Sequence, residues 1–254
     1  MRRSTLVFLS SALVLAGVPE TRPMSLTSPD GFVLKGTLTL PVRPGLRPVV
    51  VLAPQFQATR AGWKALGDRL TAAGIATLAL DLRGHGESTL RAGQPVAVSA
   101  DFMASAEAVG FDRIPGDLAQ ACAWVRRQPG IDGRRLGLAG ASLGGFSVLM
   151  AMPQTRPLAV LALSPAGTGA FGPNARADLV RAVERGHAAV MVMASQDDTD
   201  AAANAAALGA VPGVYTRLVP GEAHGFAYLD GQSDTMATFF GEYLNRQPAL
   251  VAAP

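Results

Sequence analysis

Near the middle of the chain stands Gly140-Ala141-Ser142-Leu143-Gly144, a G-x-S-x-G pattern. A serine hydroxyl is a weak nucleophile until its surroundings hold it for proton removal, and this pattern offers one such setting, a tight strand-to-helix turn. Residues 136–139 are apolar and read as the strand; residues 144–152 are apolar and read as the helix, ended by Pro153. Glycines flank the serine because side chains would collide in so sharp a turn. The turn sets the hydroxyl at the C-terminal edge of a sheet, above a helix N-terminus, where the N–H of Leu143 faces a developing oxyanion. The plainer reading of the same five residues is a glycine-rich turn with a capping serine.

A serine nucleophile needs a base, and the chain has three histidines. His224, in Pro220-Gly221-Glu222-Ala223-His224-Gly225-Phe226, follows the last expected strand (214–219) and precedes the last expected helix (235–245), which places it at the same sheet edge as Ser142. His85 also follows a strand (75–82), but it sits between Gly84 and Gly86, where shaping a turn is the expected role. His187 lies just before a strand and falls at the opposite edge. His224 is therefore the candidate base. A carboxylate must fix its tautomer and stabilise the imidazolium. Asp197 and Asp198 both follow the strand at 188–194; Asp197 is preferred and Asp198 is the alternative. The structural role open to this pair is capping the next helix, through Asp198 or Thr199. A second oxyanion donor is expected in Pro54-Gln55-Phe56-Gln57, after the strand at 49–53. The backbone N–H of Gln55 is the choice, with Phe56 as the alternative.

These groups meet only if several strands end at one edge. Residues 24–28 and 31–40 read as two half-exposed strands joined by the turn Pro29-Asp30-Gly31. Apolar runs at 49–53, 75–82, 136–139, 158–163, 188–194 and 214–219 alternate with helical patterns at 63–73, 115–128, 144–152, 174–185, 200–208 and 235–245. Such alternation predicts an α/β fold: a mostly parallel sheet covered by helices on both faces, with the first two strands antiparallel at one edge. Residues 83–113 have weak periodicity and read as loop with a short helix; with Phe102 and Phe111, this stretch is the candidate pocket wall.

Composition narrows the alternatives. Of 254 residues, 49% are hydrophobic and 16% charged, which suits one sizeable core and excludes disorder. The net charge of +3 comes from scattered arginines rather than one basic face, so a nucleic-acid partner is not expected. Cys122 is the single cysteine, read as a small buried apolar residue, and an intramolecular disulfide is impossible. No ligand spacing supports a metal, and no cofactor is expected. Arg2, Arg3 and the apolar stretch 5–17, broken by Val18-Pro19-Glu20, read as a signal peptide over residues 1–23, followed by a single domain over 24–254. Export to a bacterial periplasm or the extracellular space is the expectation, with no stable membrane association once the leader is removed. A cytoplasmic location and an uncleaved N-terminal anchor are the alternatives.

Taken together, these segments resemble the α/β-hydrolase superfamily over residues 26–246. VVVLAPQFQ is similar to the family's strand leading into an oxyanion loop, DLRGHGEST to its D-x-R-G-x-G-x-S segment, GASLGG to its nucleophile turn, and ASQDD and GEAHGF to its acid and histidine loops. The chain carries Ala53-Pro54 where the family usually has His-Gly. The stretch WVRRQPGIDGRRLGLAGASLGG resembles dienelactone-hydrolase-like and acyl-peptidase-like members. The resemblance implies a Ser142–Asp197–His224 triad cleaving carboxylic esters or thioesters of a small-molecule acyl substrate through an acyl-enzyme. Dienelactone or peptide hydrolysis and acyl transfer are the alternatives on the same triad, and a non-catalytic binding scaffold is the alternative of another class. The short span 164–187 has room for one helix, which implies that no large cap domain is present.

Overall fold

The computed structural model describes residues 17–245, so the expected leader up to residue 16 lies outside the described residues. Ten strands follow in chain order: β1 (Glu20–Thr27), β2 (Val33–Leu40), β3 (Arg47–Ala53), β4 (Ala76–Leu80), the two-residue β5 (Leu90–Arg91) and β6 (Gln94–Pro95), β7 (Ile131–Ala141), β8 (Ala159–Leu163), β9 (Ala189–Ser195) and β10 (Val214–Val219). Eight of them form one sheet in the order β1-β2-β4-β3-β7-β8-β9-β10, while β5 and β6 make a separate small hairpin. The first two ladders, β1–β2 and β2–β4, are antiparallel, and every ladder from β4 to β10 is parallel. All the parallel strands therefore end at one edge.

The helices are α1 (Lys64–Ala72), α2 (Phe102–Val109), α3 (Ile114–Val125), α4 (Leu143–Met150), the single-turn α5 (Met152–Thr155), α6 (Ala175–Gly186), α7 (Thr199–Leu208) and α8 (Ser233–Leu244). Strand alternation divides the core into two layers. On β3, Val49, Val51 and Ala53 face a layer built with Leu118, Cys122 and Val125 of α3, Val148 of α4, Leu179 of α6 and Leu208 of α7. Val50 and Leu52 face the other layer, built with Leu66 and Leu70 of α1 and Met236, Phe240 and Leu244 of α8. This is the expected α/β architecture, a mostly parallel sheet covered on both faces, and no cap domain is present among the described residues. Burial pushes the Cys122 thiol up to about 12, so it stays protonated in the first layer.

Four local expectations are corrected. The first strand begins at Glu20 rather than at residue 24: it pairs with Leu40 and runs without a break to Thr27, so residues 20–23 of the expected leader belong to the sheet. β7 is longer than the apolar run at 136–139, starting at Ile131 and crossing a register shift opposite Arg47 and Val49. Pro153 does not simply stop the helix before it. Proline is compatible with the first turn of a helix, and Pro153 occupies that place in α5. The stretch 83–113 holds the β5–β6 hairpin and a 3-10 turn at Phe111–Arg113 as well as the helix α2. Asp101 caps α2 by accepting from the Ala104 N–H at 2.9 Å, and Gly110 closes it in the left-handed region.

Candidate active site

Ser142 joins β7 to α4 with φ 50° and ψ −117°, a conformation most residues avoid. Its backbone is pinned from both sides. The Ser142 N–H donates to the Leu163 carbonyl at 2.8 Å, and the Ser142 carbonyl accepts from the N–H groups of Phe146 (2.9 Å) and Ala166 (3.3 Å). The strain is thus held by the β8 exit and the first turn of α4. A Cβ on Gly144 would overlap the carbonyl oxygens of Ala53 and Pro54, so glycine there lets the start of α4 lie directly against the β3 exit loop. That approach brings the Leu143 N–H and the Pro54–Gln57 loop to the same place. Leu143 opens α4, where backbone donors have no intrahelical acceptor. Among the described residues, neither the Leu143 nor the Gln55 N–H has a hydrogen-bond acceptor.

His224 follows β10, as its place in the sequence requires, and its Nδ1 lies 2.7 Å from Asp198 Oδ2. The imidazole side chain is 39% exposed and the Asp198 carboxylate 13% exposed. The paired carboxylate is therefore Asp198, and the preference for Asp197 is corrected. The turn after β9 explains the difference. Gln196 and Asp197 continue the β9–β10 ladder, donating to the carbonyls of Val219 and Gly221 at 2.8 and 3.1 Å, and the Asp197 side chain is exposed. The chain then folds back, with the Asp198 N–H donating to Ser195 at 3.2 Å. Asp198 occupies the N-cap position of α7 but makes no capping hydrogen bond with its side chain; its carboxylate goes to His224 instead.

The other two histidines are placed as expected. His85 is 2% exposed within the turn after β4, its Nδ1 lies 2.9 Å from the Arg83 carbonyl, and burial pulls its imidazole below the ordinary value. His187 ends α6 in the left-handed region, immediately before β9 and so at the opposite sheet edge. The expected pocket wall is an aromatic cluster: Phe56, Phe102 and Phe111 lie 5.1–5.9 Å apart, centroid to centroid, in edge-on and tilted arrangements. It approaches the Ser142 turn at Gly167, where a Cβ would sit 3.0 Å from the Phe102 ring and 3.7 Å from the Leu143 side chain.

A network that motif spacing does not reveal holds the β8 exit loop beside that cluster. Asp200 accepts from the N–H groups of Gly167 (2.8 Å) and Thr168 (3.1 Å) and from the Thr168 hydroxyl (2.7 Å). Burial raises the Asp200 carboxyl, but these hydrogen bonds outweigh it and keep the group below its ordinary range. Asn204, one turn further along α7, donates to the Pro165 carbonyl at 2.9 Å. So α7 positions the carboxylate paired with His224 at its start and the β8 exit loop along its length.

Comparison with known proteins agrees with this fold. The profile of the serine aminopeptidase S33 family matches residues 45–200, more than half the chain. A search of curated protein sequences returns no match. Among solved structures, dienelactone hydrolase from Anabaena variabilis superposes with a TM-score of 0.66 at 21% identity, covering 89% of this chain and 99% of the other. Acetyl xylan esterase 1 from Thermoanaerobacterium gives 0.69 at 18% identity, covering 92% and 86%. Est1E from Butyrivibrio proteoclasticus, with ferulic acid bound, gives 0.66 at 17% identity, covering 88% and 100%. At these identities the likeness speaks for the fold. With the profile match added, the chain belongs to the serine aminopeptidase S33 family and has the α/β-hydrolase fold.

Proposed function

We propose that this protein is a serine hydrolase that cleaves small carboxylic esters or thioesters through an acyl-enzyme, with Ser142 as nucleophile, His224 as general base and Asp198 as the carboxylate behind it. The observation that carries the reading is the His224–Asp198 pair at 2.7 Å on the same sheet edge as a serine held at positive φ. In this mechanism Asp198 accepts the Nδ1–H of His224, leaving Nε2 free to take the Ser142 proton as the oxygen attacks the acyl carbon. The carbonyl oxygen becomes an oxyanion facing the N–H groups of Leu143 and Gln55, two donors that need no reorganisation to meet it. His224 returns the proton to the leaving alcohol or thiol, and water resolves the acyl-enzyme by the same path in reverse.

A fluorophosphonate probe tests the nucleophile. Labelling of the wild type and its loss in Ser142→Ala are expected; labelling that persists in the variant overturns the assignment. A panel of short-chain aryl esters and thioesters then tests the chemistry. The family name favours a second reading, cleavage of an amino-terminal amide, so an amino-acid arylamide belongs in the same panel. Turnover of the arylamide above every ester would replace the esterase reading.

A further inference from the structure

The base loop has two anchors, and only one of them is the triad carboxylate. Two residues beyond His224, the Phe226 N–H donates to the side-chain carbonyl Oε1 of Gln55 at 2.8 Å. The bond joins positions 171 residues apart and ties the exit loop of β3 to the exit loop of β10. Gly225 sits between them at φ 52°, and a Cβ there would overlap Gln55 Oε1 and come within 3.7 Å of the Ala141 Cβ, beside the nucleophile. The amide of Gln55 therefore occupies the space that a side chain at position 225 would fill. Beyond it, the Phe226 ring packs edge-on against Trp63 at 5.0 Å. The oxyanion-donor loop and the base loop meet at this one amide, and the base loop passes close to Ala141, the residue before the nucleophile.

From this juxtaposition we propose that the Gln55 side chain is the positioning residue for His224, locking the base loop in register with the oxyanion loop. The proposal rests on the serine-hydrolase reading and adds a residue to it. Gln55 acts here through its side-chain oxygen alone, since its backbone N–H is assigned to the oxyanion and survives any side-chain replacement. Catalytic hydrogen bonds tolerate little displacement, and misplacement of the base by an ångström is enough to cost about 10²-fold in rate. Gln55→Met keeps the volume and removes the acceptor. Gln55→Glu keeps an acceptor oxygen at the same reach.

The experiment compares both variants with wild type for kcat and KM on the best aryl ester, the rate of fluorophosphonate labelling, and melting temperature. Gln55→Met is expected to lower kcat and the labelling rate by roughly 10- to 100-fold with KM changed less than about threefold. Gln55→Glu is expected to recover most of the labelling rate. A Met variant that melts within a few degrees of wild type yet labels at the wild-type rate overturns the proposal. So does a Glu variant that folds but is as slow as the Met variant, because the retained acceptor would then be irrelevant. Should the Met variant fail to fold, the Glu comparison decides alone: a wild-type labelling rate supports the proposal and a tenfold loss overturns it. Wild type that neither labels nor turns over any ester overturns the serine-hydrolase reading, and the positioning role falls with it; an active wild type separates the two outcomes.

Discussion

Two polar clusters lie among the exit loops of the same sheet, and they are built on opposite principles. The first surrounds Arg83, in the DLRGHGEST segment after β4. Its guanidinium is 1% exposed, yet every side donates: Nε and Nη2 to Asp117 at 2.6 and 2.8 Å, Nη1 and Nη2 to Asp30 at 3.0 and 3.1 Å, and Nη1 to the Val109 carbonyl at 3.2 Å. It also lies over the Phe32 ring, 5.0 Å from the centroid. The second comprises the Ser142 turn and the His224–Asp198 pair, where the serine backbone is strained, the imidazole is part-exposed, and the N–H groups of Leu143 and Gln55 are left without acceptors among the described residues. Buried polar groups that satisfy one another specify and stabilise a fold. Strain and unmet donors cost stability and are retained where a ligand completes them. Both look equally like motifs in the sequence; their hydrogen-bond accounting is what sets the self-satisfied one apart from the proposed active site.

That contrast can be broken in order of expected size. The largest effect belongs to Ser142→Ala, which should lower kcat by on the order of 10⁴–10⁶ while leaving the urea midpoint nearly unchanged. A large shift in the midpoint would mean that the serine belongs with the structural cluster. Next comes the pair of aspartates. Asp198→Asn should cost about 10³–10⁴ in kcat, by leaving the imidazole in the wrong tautomer, while Asp197→Asn should stay within about threefold. Equal losses in steady-state assays would undo the assignment of Asp198.

The structural cluster should respond the other way round. Arg83→Met leaves the buried Asp117 carboxylate without its partner, while Asp30 keeps Ser28 and Arg113, and should destabilise the protein by about 3–5 kcal/mol in urea titration. The molecules that remain folded should keep near-normal activity, and a tenfold loss of kcat without loss of stability would merge the two clusters. The smallest effect is one of pH. Burial pushes the Asp30 carboxyl up, but hydrogen bonds from Ser28, Arg83 and Arg113 outweigh it and hold the group well below the usual carboxylate range. Its folded value is below its unfolded one, so its stabilising contribution is complete above about pH 4 and is lost as pH falls toward the folded value. Asp117 shifts the opposite way, raised by burial despite Arg83, so its protonation offsets part of that loss. The stability gap between wild type and Asp30→Asn should therefore narrow as pH falls from about 4 to about 2. A gap that stays constant over that range would show that Asp30 carries no such linkage.

Much of the arrangement is legible in the amino-acid sequence. Apolar runs of strand length separated by helical periodicity were enough to expect a parallel sheet, and a parallel sheet puts every strand end at one edge, which is why Ser142 and His224 could be nominated from their places after β7 and β10. His187 could be set aside by the same reasoning, because it precedes a strand. Element ends were less legible. β1 begins at Glu20 because pairing with Leu40 extends the strand into residues whose polarity resembles a linker, and backbone hydrogen bonding is indifferent to that polarity.

The order of the elements, and the sheet edge at which Ser142 and His224 lie, follow from local periodicity and the handedness of parallel connections, both of which a linear chain carries. The tertiary structure decided which of two adjacent aspartates reaches the imidazole, because that depends on how far the β9–β10 ladder runs before the chain turns back at Asp198. It also decided that the Gln55 side chain would meet the base loop 171 residues away. Such choices rest on a single turn and a single close approach, and neither has a period that a one-dimensional pattern can carry.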